Sequence, residues 1–125
     1  MTTALHVETT VLFGLVAVVA VHEFGHAFAA QTLRLPWTPV LSRRGPGIRV
    51  GSESFRLTTR QMVATAIAGP LASLVFAAVL WPTDRFLALC SIEIAVWNLV
   101  LPRSDGAAVL RALRGKETYT VERER

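Results

Sequence analysis

The sequence has 125 residues, enough for one compact domain and too few for a catalytic domain that carries accessory domains. Its hydrophobic fraction of 52% is high for a soluble domain of this size and favours a membrane protein. Cys90 is the only cysteine, which excludes an intrachain disulfide and a zinc site built from cysteines, whereas the net charge of +4 by itself leaves nucleic-acid binding open.

The first predicted element is an apolar helix over residues 11–30, interrupted by His22, Glu23 and His26. Twenty helical residues rise by about 30 Å, which matches the hydrocarbon core of a bilayer. A cleaved signal peptide is the less favoured interpretation, because no basic residue precedes the apolar run and no clear cleavage site follows it. We therefore expect a first membrane span here.

The polar residues of this span have the spacing of a metal site. His22 and His26 are four residues apart, so on a helix both side chains project from the same face. With Glu23 they form the pattern H-E-x-x-H, in which two neutral imidazoles bind Zn²⁺ and the glutamate is the general base for the zinc-bound water. An ionisable group inside a membrane costs roughly 3 kcal/mol or more, so three together indicate a function. The alternative is that these side chains form hydrogen bonds with neighbouring helices and hold no metal.

Residues 36–57 differ from the apolar segments on either side, because prolines and glycines separate short runs such as TPVL and GIRV. This pattern predicts two or three short strands joined by tight turns. An exposed strand edge at this place could bind an extended peptide by strand addition. An irregular loop at the membrane interface is an equally good interpretation.

A second span is predicted over residues 61–81, which contain no charged side chain. Ala64, Ala68 and Ala72 recur at every fourth position, a spacing that lets two helices approach closely in lipid. Pro70, which follows Gly69, has no backbone N–H and therefore frees one carbonyl group near the middle of the bilayer. That carbonyl could bind substrate, although a simple helix kink explains the two residues equally well.

A third span is predicted over residues 86–101, and a short interfacial helix, capped by Ser104 or Asp105, is expected to follow as far as Gly115. The third span carries Glu93, for which three interpretations stay open. They are a protonated carboxyl group, an ion pair with Arg85, and a contact with a partner subunit.

Basic residues alternate along the chain as they do in membrane proteins. Residues 32–60 hold six arginines and one acid, and the tail after residue 101 holds six further basic residues against four acids, whereas the N-terminal segment and residues 82–85 hold little positive charge. The positive-inside rule then places this loop and the tail in the cytoplasm and the N-terminus outside. We therefore interpret the arginines as topology signals and do not expect nucleic-acid binding.

A third metal ligand is expected, because catalytic zinc usually has three protein ligands and one open position. His6 lies before the first span, on the opposite side of the membrane from the histidine pair. Asp105 follows the third span on the same side as that pair and is therefore the candidate ligand. Its other interpretation is a helix N-cap.

Three stretches resemble the site-2 protease family of intramembrane zinc metalloproteases: HEFGHA at 22–27, AGPLA at 68–72, and N-L-x-x-P at 98–102 followed by D-G at 105–106. Their order and placement match the family over most of residues 11–110. The resemblance implies a minimal three-helix catalytic core that cuts transmembrane or membrane-proximal segments of other proteins. It also implies that His22, His26 and Asp105 bind zinc and that Glu23 is the general base.

Four residues are expected to bind substrate or support the transition state: Asn98, Ser73, Gly69 and Pro70. Asn98 matches the asparagine of the family's third motif, whereas Ser73 stands where members with a cytoplasmic-facing site usually have asparagine. Residues 102–104 also shorten the stretch before the Asp-Gly pair. These departures favour a second hypothesis, a non-catalytic membrane protein of the same fold that binds zinc or a partner helix. A third, a small membrane anchor with a chance motif, predicts no metal.

We therefore expect a single membrane-embedded, metalloprotease-like domain over residues 1–125. It would be an all-α membrane protein with three transmembrane helices, a β-hairpin region between the first two and a short C-terminal interfacial helix. The expected cofactor is Zn²⁺, and the expected partners are a transmembrane protein substrate and the lipid bilayer, with a homo-oligomer left open. The expected location is the cell membrane of a bacterium or archaeon, with the N-terminus outside and the active site toward the cytoplasm.

Overall fold

The computed structural model describes residues 2–42, 45–52, 57–101 and 104–114. Within them the chain forms helices and one two-stranded sheet, in the order α1 (Thr2–Thr32), β1 (Trp37–Ser42), β2 (Gly45–Val50), α2 (Thr59–Leu80), α3 (Arg85–Val100) and α4 (Asp105–Leu113). The predicted mostly helical fold, with a hairpin between the first two long helices, is confirmed.

Three stretches are long and apolar enough to cross a membrane: Val11–Thr32, Thr59–Leu80, and a stretch that begins with α3 and runs on to Leu113. Only 22%, 33% and 18% of their most apolar windows are buried within the chain. Large apolar side chains such as Phe24, Phe28 and Val79 point outward instead. This distribution is compatible with hydrocarbon as the surrounding medium.

Local hydrogen bonds determine where two of the helices begin. Thr58 caps α2, since its hydroxyl accepts the N–H of Gln61 at 3.3 Å and its own N–H donates to the Gln61 side chain at 2.9 Å. Asp84 caps α3 by accepting the N–H of Leu87 at 3.1 Å. Because capping residues are polar and precede the apolar run, α2 begins two residues before the span predicted from hydropathy.

The interior is built from small and polar residues, and α2 lies at its centre, packed against α1, α3 and α4. A methyl group on Gly25 of α1 would overlap the carbonyl group of Ala68 and the side chain of Ala72. The backbones of α1 and α2 therefore approach closely, as the spacing of small residues in α2 predicts. Five polar residues are buried in the described part of the chain: His22, His26, Thr65, Ser73 and Ser91.

The hairpin lies beside α1 and pairs its strands in antiparallel register, with Pro39 opposite Ile48. The ladder is closed at the far end by the N–H of Gly51, which donates to the carbonyl of Pro36 at 2.7 Å. Strands were predicted for this segment, and the irregular-loop interpretation is wrong for its described part. Residues 43, 44 and 53–56 lie outside the described residues.

The short helix predicted after the third span is α4, and Ser104 rather than Asp105 is its N-cap residue. Asp105 is the first helical residue, so its carboxylate is not used as a cap. The position of α4 at a membrane interface stays a prediction. Residues 102 and 103, the expected helix end at residue 115 and the charged tail lie outside the described residues.

Candidate metal centre

Side chains from α1 and α4 bring three potential metal ligands together. The Nε2 atoms of His22 and His26 are 3.3 Å apart, and each lies 3.3 Å from Oδ2 of Asp105. The three atoms thus form a triangle with equal edges, and both imidazoles are buried. The sequence predicted these three residues, and the structure places them together as a candidate metal site.

The triangle has the size that zinc requires. Tetrahedral ligands at 2.0–2.1 Å from Zn²⁺ are separated from one another by about 3.3 Å. Two imidazoles and one carboxylate are also a common zinc donor set, which leaves a fourth position for water or substrate. The residues present therefore fit the metal that the H-E-x-x-H pattern implies.

His26 is oriented by a main-chain group of α2. Its Nδ1–H donates to the carbonyl of Thr65 at 2.7 Å. Because a carbonyl can only accept, this bond places the proton of the neutral ring on Nδ1 and leaves the lone pair of Nε2 directed at the triangle. Gly69 makes room for the ring, since a methyl group there would overlap Nε2 of His26.

His22 is oriented by a side chain instead. Its Nδ1 lies 3.0 Å from Oγ of Ser73, which is fully buried. The carbonyl of Ser73 in turn accepts the hydroxyl of Ser91 in α3 at 2.8 Å. Three helices therefore hold this imidazole in place, and its Nε2 is the atom left for a metal.

Asp105 brings the third ligand atom to the site at the first turn of α4. Gly106 allows this, because a side chain at 106 would overlap the carbonyl of Leu99 near the end of α3. Within the described part of the chain, Oδ2 of Asp105 is buried and has no hydrogen-bond donor. A buried carboxylate oxygen that faces two imidazole nitrogens without a donor is the arrangement that a cation would satisfy.

Glu23 lies outside the triangle. Its Oε2 accepts the main-chain N–H of Ile48 in β2 at 2.8 Å. The side chain also lines a groove of about 710 Å³ between α1 and the hairpin, whose other lining residues are apolar or glycine. The carboxylate is therefore next to the histidine pair in sequence but is held by the hairpin.

The four residues expected to meet substrate have different surroundings. Gly69 packs against His26, and Pro70 and Ser73 are fully buried. The amide of Asn98 donates to the carbonyl of Ile94, one turn earlier in α3, at 2.9 Å. None of these contacts tests a role in substrate binding, so that role stays a prediction for all four residues.

Glu93 has a partner that the sequence did not indicate. The indole N–H of Trp97, one turn later in α3, donates to its Oε1 at 3.2 Å.

The sequence also did not indicate the carbonyl of Thr65 or the N–H of Ile48 as parts of the site, because main-chain groups carry no side-chain signal. Ser91 could have been found, since it is a small polar residue within an apolar span.

The chain matches no protein-family model, no curated protein and no solved structure.

Proposed function

We propose that this chain is a zinc-dependent intramembrane endopeptidase of the site-2 protease type, which hydrolyses peptide bonds in or near transmembrane segments. The observation that supports it most is the triangle formed by His22, His26 and Asp105, with edges of 3.3 Å, among helices apolar enough to span a membrane. Such a site is costly in hydrocarbon unless a cation and a function accompany it.

The protein residues have distinct tasks in this proposal. His22, His26 and Asp105 hold the metal, and when bound, zinc would lower the pKa of water and polarise the scissile carbonyl group. Hydrolysis adds the hydroxyl of water to the carbonyl carbon and one proton to the leaving nitrogen, while the C–N bond breaks. Glu23 moves that proton, and we assign the transfer to Oε1, since Oε2 accepts the N–H of Ile48.

Substrate would approach through the groove between α1 and the hairpin. The groove is lined by apolar residues such as Val16, Val19 and Val40, and Glu23 is the only ionisable one among the described residues that line it. A substrate helix must unwind there, because a carbonyl group that is hydrogen-bonded within a helix is poorly exposed to attack. An opened, extended segment suits a site bordered by a strand.

A non-catalytic zinc-binding protein of the same fold is the second candidate function. Two observations favour it: the hydroxyl of Ser73 faces His22, and the amide of Asn98 is bonded within its own helix. Neither group is then directed at a substrate carbonyl. The metal site would be unchanged in this case, but no peptide bond would be cut.

Zinc analysis and a cleavage assay test both functions together. Detergent-purified wild type should contain about one zinc ion per chain, and His26→Ala and Asp105→Ala should each lose it. Glu23→Gln should keep the zinc but stop cleavage of a co-expressed single-span membrane protein. Cleavage at the wild-type rate by Glu23→Gln would overturn the peptidase proposal, and wild-type protein without zinc would overturn the metal site.

A further inference from the structure

The contact between Glu23 and Ile48 joins the expected general base to the hairpin. The acceptor is a carboxylate oxygen and the donor is a main-chain N–H, at 2.8 Å, which is typical of a charge-assisted hydrogen bond. The bond connects α1 to β2, and both of its residues line the apolar groove. The other described residues that line the groove are apolar or glycine, so their side chains offer the carboxylate no hydrogen-bond donor.

The N–H of Ile48 is free for this role because of the strand register. In an antiparallel ladder, hydrogen-bonded pairs alternate with pairs whose N–H and C=O groups point away from the partner strand. The bond from Gly51 to Pro36 fixes the alternation, so Pro39 and Ile48 form an outward-pointing pair. The N–H of Ile48 therefore faces α1 and is not part of the ladder.

We propose that the main-chain N–H of Ile48 positions the Glu23 carboxylate for proton transfer, so that β2 is part of the reaction site. This inference rests on the proposed peptidase function. The N–H holds Oε2, which prevents the side chain from rotating freely in the groove and leaves Oε1 to exchange a proton with water and the leaving amine. The hairpin thus supplies a positioning group through its backbone, at a position that any residue with an N–H can occupy.

Hydrogen exchange tests the contact without any need for activity. In Glu23→Ala the acceptor is lost, and the Ile48 amide should exchange at least about tenfold faster than in wild type. In Glu23→Gln a side-chain oxygen remains as acceptor, so the exchange rate should stay closer to that of wild type. Equal Ile48 exchange rates in all three proteins would overturn the proposal.

Proline substitutions test the effect on the reaction. Ile48→Pro removes the proposed positioning N–H, and Val50→Pro removes the next outward-pointing N–H of the same strand, which does not reach Glu23. Neither change costs a ladder hydrogen bond, and Pro39 and Pro46 already occupy positions of this type. Ile48→Pro should lower kcat about tenfold or more with zinc content near wild type, whereas Val50→Pro should leave kcat within about twofold.

The two proposals fail in different ways. Equal loss of kcat in the two proline variants would overturn the positioning role, even where Glu23→Gln confirms the peptidase. Wild-type protein that binds zinc and cuts nothing would overturn the peptidase and, with it, a role for Ile48 in proton transfer. The exchange rates of the Glu23 variants would then still report whether the carboxylate anchors the hairpin.

Discussion

The two imidazoles of the candidate metal centre are held by different kinds of group, and this difference determines how each responds to mutation. His26 donates to a main-chain carbonyl, that of Thr65, which no side-chain substitution removes. His22 instead depends on the hydroxyl of Ser73. Removing the partner of a metal-bound histidine typically weakens metal binding by about 10–100-fold.

Ser73→Ala should therefore weaken zinc binding by about 10–100-fold without unfolding the protein. Thr65→Val is the matched control, because it keeps the carbonyl that holds His26 and removes a buried hydroxyl whose bonds, among the described residues, are to the carbonyls of Gln61 and Met62. Competition with a chelator of known affinity measures both variants. Equal affinities for wild type and Ser73→Ala would show that His22 does not need its partner.

Gly69→Ala should abolish zinc binding, because the added methyl group takes the space of the His26 ring. The loss of affinity should exceed the about 100-fold typical of a lost hydrogen-bond partner. Gly47→Ala is the control, since a methyl group there would have only ordinary contacts, 3.7 Å from Oε2 of Glu23. Elemental analysis of the two purified variants gives the answer, and a zinc-replete Gly69→Ala would contradict the packing described for His26.

The candidate metal centre joins two helices that are far apart in sequence. α1 supplies both histidines and α4 supplies Asp105, whose Oδ2 has no hydrogen-bond donor among the described residues. When both rings are neutral and protonated on Nδ1, their Nε2 lone pairs and the Asp105 carboxylate, 3.3 Å apart, repel one another unless a cation lies between them. A bound metal should therefore hold α4 against α1.

Removing zinc with a chelator should accordingly speed amide exchange in α4 while the centre of α2 keeps its protection. The expected increase is about tenfold or more, as metal binding contributes to folding where ligands come from separate elements. In Asp105→Asn, α4 keeps its shape but loses the charged ligand, so its exchange should no longer depend on zinc. A zinc-independent α4 in wild type would argue against Asp105 as a ligand.

The sequence predicted the long elements better than their ends. Hydropathy locates the spans because apolar composition is a property of a whole segment, but the capping bonds at Thr58 and Asp84 depend on single polar residues just before each run. The ligand triangle was predictable since helical periodicity pairs His22 with His26, and topology brings Asp105 to the same side. The main-chain groups that hold His26 and Glu23 were not predictable, because their positions depend on how the helices and strands pack.

For the whole molecule, the charge pattern predicts an orientation that the fold alone does not determine. In this predicted orientation the N-terminus would be outside, the hairpin would be in the cytoplasm and the turn between α2 and α3 would be outside. Ser52 and Thr83 are exposed residues on these two sides. They suit a pair of labelling positions in a protein whose only cysteine, Cys90, is replaced by alanine.

In intact cells, a membrane-impermeant maleimide should label Thr83→Cys and should not label Ser52→Cys until the membrane is opened. The contrast should be about tenfold or more, because a bilayer excludes the charged reagent. Zinc content identical to that of the Cys90→Ala parent is the control for correct folding. The reverse labelling pattern would place the metal centre toward the outside and would overturn the orientation proposed from the arginines.

The prolines of the hairpin have a consequence for how copies of this protein meet. Pro39 and Pro46 both occupy positions whose N–H would point away from the partner strand, so each outer edge of the sheet lacks one donor. An uninterrupted edge is a template on which strands of other chains can stack. Here the outer edge of β2 faces α1, and a strand that paired with the outer edge of β1 would leave one of its own carbonyl groups unpaired opposite Pro39. The sheet is therefore protected against edge-to-edge aggregation even though it is only two strands wide.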